Sequence, residues 1–226
     1  MIRENHEILE EKITRKCLET GRTREEITLI AVSKTNPPEV VKEAFESGLL
    51  HFGENKAQEF RDKVELVTDP VFWHFIGHLQ SNKVKYVIGA AEYIHSVDSL
   101  KIAEEINSRA GKIKKMQKIL LEINTSNEDA KFGLHDEKEI IHILEYCKNS
   151  EFLVPVGLMT MAPFVEDEKV IRNCFMNLRL LKEKLNERGF GLKELSMGMT
   201  NDFEIAIEEG ATMLRIGSAI FGNRIK

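Results

Sequence analysis

Short apolar runs alternate along this chain with longer stretches in which apolar residues recur every three or four positions. From Ile2 to Glu19, the residues Ile8, Leu9, Ile13, Cys17 and Leu18 lie at helical spacing among charges, and Gly21 ends the segment. An amphipathic helix is therefore expected first. Thr28 to Lys34 is of another kind, a contiguous apolar and β-branched run ending on a lysine, with Pro37-Pro38 close behind. It reads as a buried strand whose last side chain emerges at the sheet edge. Pro37-Pro38 opens a helix through Phe45, and Gly48 closes it. The alternation then repeats. Strands are predicted at His51 to Glu54, Val71 to Ile76, Tyr93 to Val97, Lys118 to Ile123, Val154 to Met159, Leu195 to Met197 and Met213 to Ile216. Helices are predicted from Asn55 to Val67, from Ser81-Asn82 to Ile88, from Ser99 to Ala110 under an Asp98 cap, after an Asp136 cap, from Asp167 to Arg188, and from Asn201 to Glu209. Eight strands alternating with helices, with no low-complexity linker, predict one α/β domain over residues 1–226: a (β/α)8 TIM barrel with an extra N-terminal helix. An open doubly wound sheet is the alternative, but the GxGxxG turn it usually carries after its first strand is absent.

Charge changes this picture little. The 226 residues carry a formal net charge of −5 with both signs interspersed, which gives no electrostatic argument for nucleic acid. The one basic run, Lys112 to Lys118, reads as a solvated lead-in to a strand. Cys17, Cys147 and Cys174 form no CxxC pair and are expected as reduced packing residues. The first residues lack an apolar targeting segment and no membrane-length apolar run occurs, so a cytoplasmic protein is expected, by default a monomer.

The chemistry is expected at the C-terminal ends of the strands. Lys34, at the mouth of an apolar core, has the setting of a Schiff-base lysine; a snorkelling lysine that merely caps a strand is the plainer reading. After strand seven, Ser196-Met197-Gly198-Met199-Thr200-Asn201 joins a hydroxyl, a permissive glycine and a helix start. After strand eight, Arg215-Ile216-Gly217-Ser218 lets the backbone approach a ligand closely. Two anion-binding ends facing an amine suit a ligand with an aldehyde and a phosphate, and pyridoxal 5'-phosphate (PLP) is the common cofactor of that description. His74 and His78 are four apart, but on a strand and without a third ligand, so no metal is expected. His78 is left between a ligand contact and a loop contact, and Glu54 is expected to pair with a neighbouring lysine. Met159, Met161, Met197 and Met199 are expected as filling near the barrel top.

Six segments carry a resemblance. Ala31-Val32-Ser33-Lys34-Thr35, Phe52-Gly53-Glu54-Asn55, Trp73 through Lys83, Gly157 through Pro163, Leu195 through Met199 and Arg215 through Gly222 resemble, in order and over nearly the whole chain, the pyridoxal phosphate homeostasis protein family. The resemblance implies a barrel like the N-terminal domain of alanine racemase, with PLP held as an internal aldimine on Lys34. It further implies Asn55 beside the ring, Ser196, Gly217 and Ser218 at the phosphate, Met199 in the same loop, and Arg215 at the pyridine nitrogen or the phosphate. The Asn36-Pro37-Pro38 loop departs from the lysine- or glutamine-proline of the family pattern.

The expected function is intracellular PLP homeostasis, a carrier without dedicated catalysis that passes the cofactor to PLP-dependent apoenzymes. An arginine at the pyridine nitrogen donates without yielding a proton and weakens the ring as an electron sink, and none of Tyr86, Tyr93 and Tyr146 falls at a predicted strand C-terminus as a second base. The alternatives are a racemase-like PLP enzyme and a cofactor-free Schiff-base aldolase acting on a phosphorylated sugar.

Overall fold

The computed structural model describes residues 1–125 and 132–222. Eight parallel strands close into a barrel in sequence order: β1 (Thr28–Val32), β2 (His51–Glu54), β3 (Phe72–Phe75), β4 (Ala91–Val97), β5 (Gln117–Glu122), β6 (Leu153–Met159), β7 (Glu194–Ser196) and β8 (Met213–Ile216). Around them run α1 (Ile2–Glu19), α2 (Pro38–Glu46), α3 (Ala57–Leu66), α4 (Val84–Val87), α5 (Leu100–Lys112), α6 (Glu137–Lys148), α7 (Glu168–Glu187), α8 (Phe203–Glu208) and α9 (Ser218–Phe221). β1 closes the barrel against β8, pairing Ala31 with Ile216, and pairs Val32 with Gly53 on its other side.

The departures from expectation have local causes. β1 stops at Val32 and the chain turns over Ser33 to Asn36, Asn36 N–H donating to Ser33 O, with Thr35 left-handed (φ 68°) in the turn. The helix after β3 is only a 3-10 turn, Ser81–Lys83, running into α4. Asp98 does not cap α5: Ser99 holds the N-cap position, and the Asp98 carboxylate turns to His78 Nδ1 at 3.1 Å. Asp136 and Asp167 do cap, each accepting from the backbone N–H two residues on. The sequence also predicts a long loop from Asn124 to Leu134, most of which, residues 126–131, lies outside the described residues.

Strand alternation separates two interiors. Outward residues join the helices in the main apolar core, where Phe60 of α3 meets Trp73 and Phe75 edge-on with ring centroids at 5.9 and 6.0 Å. Inside the barrel the buried apolar set is small, with Ile30, Leu120, Met159 and Met213 flanked by Tyr93 and Val156. Polar side chains fill the rest of the lumen. All three cysteines are buried, and among the described residues no helix is long and apolar enough to cross a membrane.

Candidate functional site at the barrel mouth

Lys34 lies two residues beyond β1, and the backbone on either side of it is hydrogen-bonded. Ser33 N–H donates to Gly53 O (3.1 Å), Asn36 N–H to Ser33 O (3.0 Å), and Thr35 N–H to the Glu59 carboxylate. Beneath this corner is a buried ion pair. Glu54 Oε1 accepts from Ser33 Oγ at 2.6 Å and from Lys63 Nζ at 2.5 Å, while Lys63 also donates to Ser33 O at 3.0 Å. Burial raises the Glu54 carboxyl above its ordinary range, against the pull of the ammonium. The result is a fixed backbone carrying a half-exposed lysine. The left-handed Thr35, a β-branched residue, is strain kept at this corner by its neighbours.

On the β2 side stands Asn55, whose Oδ1 is buried with no hydrogen-bond partner. Its backbone is held by the absence of a side chain at Gly77, where a Cβ would come within 2.1 Å of Asn55 O. On the β8 side Gly217 abuts β1, and a Cβ there would still find room, 3.5 Å from Val32 O. Ser218 opens α9, its Oγ lying 3.1 Å from Thr200 Oγ1, which also accepts from Ala219 N–H at 3.4 Å. The loops after the seventh and eighth strands thus meet beside the start of a short extra helix, the place where barrels of this architecture frequently bind phosphate.

Ser196 is placed otherwise than expected. As the last residue of β7 it points inward and is fully enclosed, its Oγ accepting from Arg215 Nη1 at 2.6 Å and lying 2.9 Å from His95 Nδ1. Its hydroxyl is engaged in the lumen, and the hydroxyl that stands beside Ser218 belongs to Thr200. The signal was in the chain: Gly198, at φ 93°, turns the backbone out of the strand, so a side chain beyond it reaches the mouth where one before it does not. Met199 sits on that turn, its N–H donating to Asp202 and its side chain 36% exposed.

Arg215 is enclosed beneath the mouth. Nη2 donates to Thr160 O at 2.8 Å, and burial lowers the guanidinium to about 10, opposed by Asp202 and Glu122. It stays a cation at neutral pH. Glu122, at the end of β5, is pushed up to about 7 by burial and next by Asp98, with Arg215 opposing.

Sequence reasoning missed the connection below Arg215. His95 Nε2 lies 2.9 Å from His74 Nδ1, and His74 Nε2 lies 2.9 Å from His51 Nδ1. Arg215 can only donate, so among the described residues the acceptor for the Ser196 O–H is His95 Nδ1. Burial holds His74 and His95 well below the ordinary histidine range, and lowers His51 too. Burial thus disfavours the charged form of each. The available signal was one inward polar residue in each of three successive strands.

The remaining expectations place simply. His78 pairs with Asp98 and stacks on Phe132, with centroids 4.1 Å apart. Tyr93 stacks on His74 in the lumen (4.8 Å), and Tyr86 lies under Arg61, Lys83 and Lys85. Met159 and Met197 are buried, while Met161 is 42% exposed. Lys115, within the basic run, is no bystander; it donates to Ile88 O and Ala91 O. Among the described residues no three His, Cys, Asp or Glu side chains gather as a metal would require. A groove of about 770 Å³ runs beside the Lys34 corner, lined by Thr35, Asn36, Asn55, His78 and Lys83 among others.

Residues 13–224 match the family model described as "Alanine racemase, N-terminal domain". The pyridoxal phosphate homeostasis protein of Aquifex aeolicus (strain VF5) is 43% identical over 216 residues, which are 95% of this chain and 94% of that one. The solved structure of PipY from Synechococcus elongatus PCC7942 with PLP bound superimposes with a TM-score of 0.86 at 31% identity, covering 98% of this chain and all of that one. An alanine racemase from Clostridium difficile 630 shares the fold at a TM-score of 0.77 and 16% identity, and this chain spans 57% of its length.

Proposed function

This chain belongs to the pyridoxal phosphate homeostasis protein family, and from that membership we propose that it binds PLP at the barrel mouth, as an internal aldimine on Lys34, and serves cellular PLP homeostasis as a carrier. One observation carries the reading. Lys34 stands at the end of β1, between the β2 end with the unpartnered Asn55 Oδ1 and the β8 end with Gly217, Ser218 and Thr200, with the Arg215 cation enclosed beneath. An amine, a polar atom lacking a partner, an anion cradle and a permanent donor are the complement of an aldehyde, a ring substituent, a phosphate and a ring acceptor.

When bound, PLP supplies a reactive aldehyde, which a carrier must hold and release. The chain's own part is to fix the Lys34 backbone, to offer the phosphate Gly217, Ser218 and Thr200, and to present Arg215 as a donor that keeps its proton. Met199 borders the same loop, and Ser196 acts through Arg215. In this reading the chain is one domain over residues 1–226, works as a monomer in the cytoplasm, hands PLP to PLP-dependent apoenzymes and has no dedicated catalytic activity. The placement of its tyrosines favours the carrier over a racemase, since Tyr93 is stacked in the lumen and Tyr86 lies among surface cations. The sugar aldolase has no observation in its favour.

Borohydride reduction of the PLP-loaded protein, followed by peptide mapping, is expected to find the reduced cofactor on Lys34. Modification spread over other lysines contradicts the aldimine. Incubation with single L-amino acids tests the carrier, and D-isomer formed at more than about 1 per second would assign an enzyme instead.

A further inference from the structure

The lumen holds a chain of hydrogen bonds whose far end has no part in the site. It begins at His51, the first residue of β2, passes through His74 on β3 and His95 on β4, crosses to Ser196 at the end of β7, and ends at Arg215 on β8. Each link is 2.9 Å, except the last at 2.6 Å. Stacked neighbours hold the rings, Tyr93 on His74 at 6° between planes and Phe72 on His51 at 21°.

We propose that His51, His74, His95 and Ser196 are positioning residues for Arg215: a one-way relay that makes the Ser196 hydroxyl a fixed acceptor for Nη1 and so points the remaining guanidinium donors at the mouth. The direction follows from Arg215 itself. It accepts nothing, so the Ser196 proton goes to His95 Nδ1, and each histidine in turn donates from Nε2 to Nδ1 of the next. In the opposite sense His95 would donate to Ser196, and the serine proton, in a fully enclosed position, would have no acceptor among the described residues. Ser196 and Thr160 O together fix two of the five guanidinium N–H groups. The consequence for PLP affinity rests on the cofactor reading above; the direction of the relay does not.

Two measurements test this separately. Nitrogen-15 NMR of histidine-labelled, cofactor-free protein at neutral pH is expected to show His51, His74 and His95 as neutral rings protonated on Nε2; a proton on Nδ1 of His95 overturns the relay. PLP titration then compares Ser196→Ala, His95→Leu and His95→Asn. The first two are expected to bind about tenfold more weakly, while His95→Asn, whose amide oxygen can accept from Ser196 in place of Nδ1, stays within about threefold of the unsubstituted protein. Unchanged affinity in His95→Leu, or an asparagine variant no better than the leucine one, overturns the positioning role. Should the substitutions prevent folding, the NMR arm still decides, because it uses the native chain. Should the unsubstituted protein bind no PLP, the cofactor reading fails and the nitrogen spectrum still decides the relay.

Discussion

The two interiors of this barrel obey different rules. The shell between strands and helices is a conventional apolar core, with Phe52, Phe60, Phe75, Ile94, Ile106 and Phe175 fully buried. The lumen buries His74, His95, Ser196 and Arg215 with only a small apolar plug, while the buried Glu54–Lys63 pair sits on the shell side of β2, beneath the Lys34 corner. Burying such groups is costly unless each finds a partner, and most here do. Stability is therefore vested in the shell and chemistry in the lumen, within one closed sheet whose strands serve both on alternate residues.

Substitution beneath the Lys34 corner and in the apolar shell sharpens that division. Lys63→Met strands the Glu54 carboxylate in a buried position and is expected to cost about 3–5 kcal/mol in urea unfolding, while also loosening the Lys34 corner and weakening PLP binding. Phe60→Ala in the shell is expected to cost a similar amount, about 3–5 kcal/mol, yet leave PLP affinity unchanged. Equal loss of affinity in both would break the division.

Glu122 gives the next effect. Its carboxyl sits at about 7 when folded, against an ordinary 4.5, so the folded state holds an extra proton between those values. Stability is then lost as pH rises through that window, by on the order of 3 kcal/mol, and Glu122→Gln should remove this part of the slope. Unfolding titrations on either side of the window measure it, and parallel pH profiles for the two proteins would contradict the assignment. The smallest effect is expected at Thr35→Gly. Relief of the left-handed backbone, partly offset by glycine's chain entropy, should raise stability by no more than about 1 kcal/mol.

The same division explains what the sequence disclosed. α1, β2 and β8 fall on their predicted residues because their boundaries are marked, by Gly21 after α1 and by polar or glycine ends for the strands. The lumen was harder to see. His51, His74 and His95 lie on three different strands, and their connection needs the barrel's register, Gly53 opposite His74 and His74 opposite Tyr93, to bring them into line. Asp98 looked like a cap from its position alone, but its partner His78 is distant in sequence. Ser196 and Thr200 differ by one turn at Gly198, a glycine that the sequence displays but whose left-handed backbone it does not.

The most direct test of the account is a visible absorption titration of the protein and of Lys34→Ala with PLP, each before and after borohydride. The account predicts a band at roughly 420 nm in the unsubstituted protein, fixed by reduction and absent from Lys34→Ala. No band in the unsubstituted protein, or an equal one in Lys34→Ala, would contradict it.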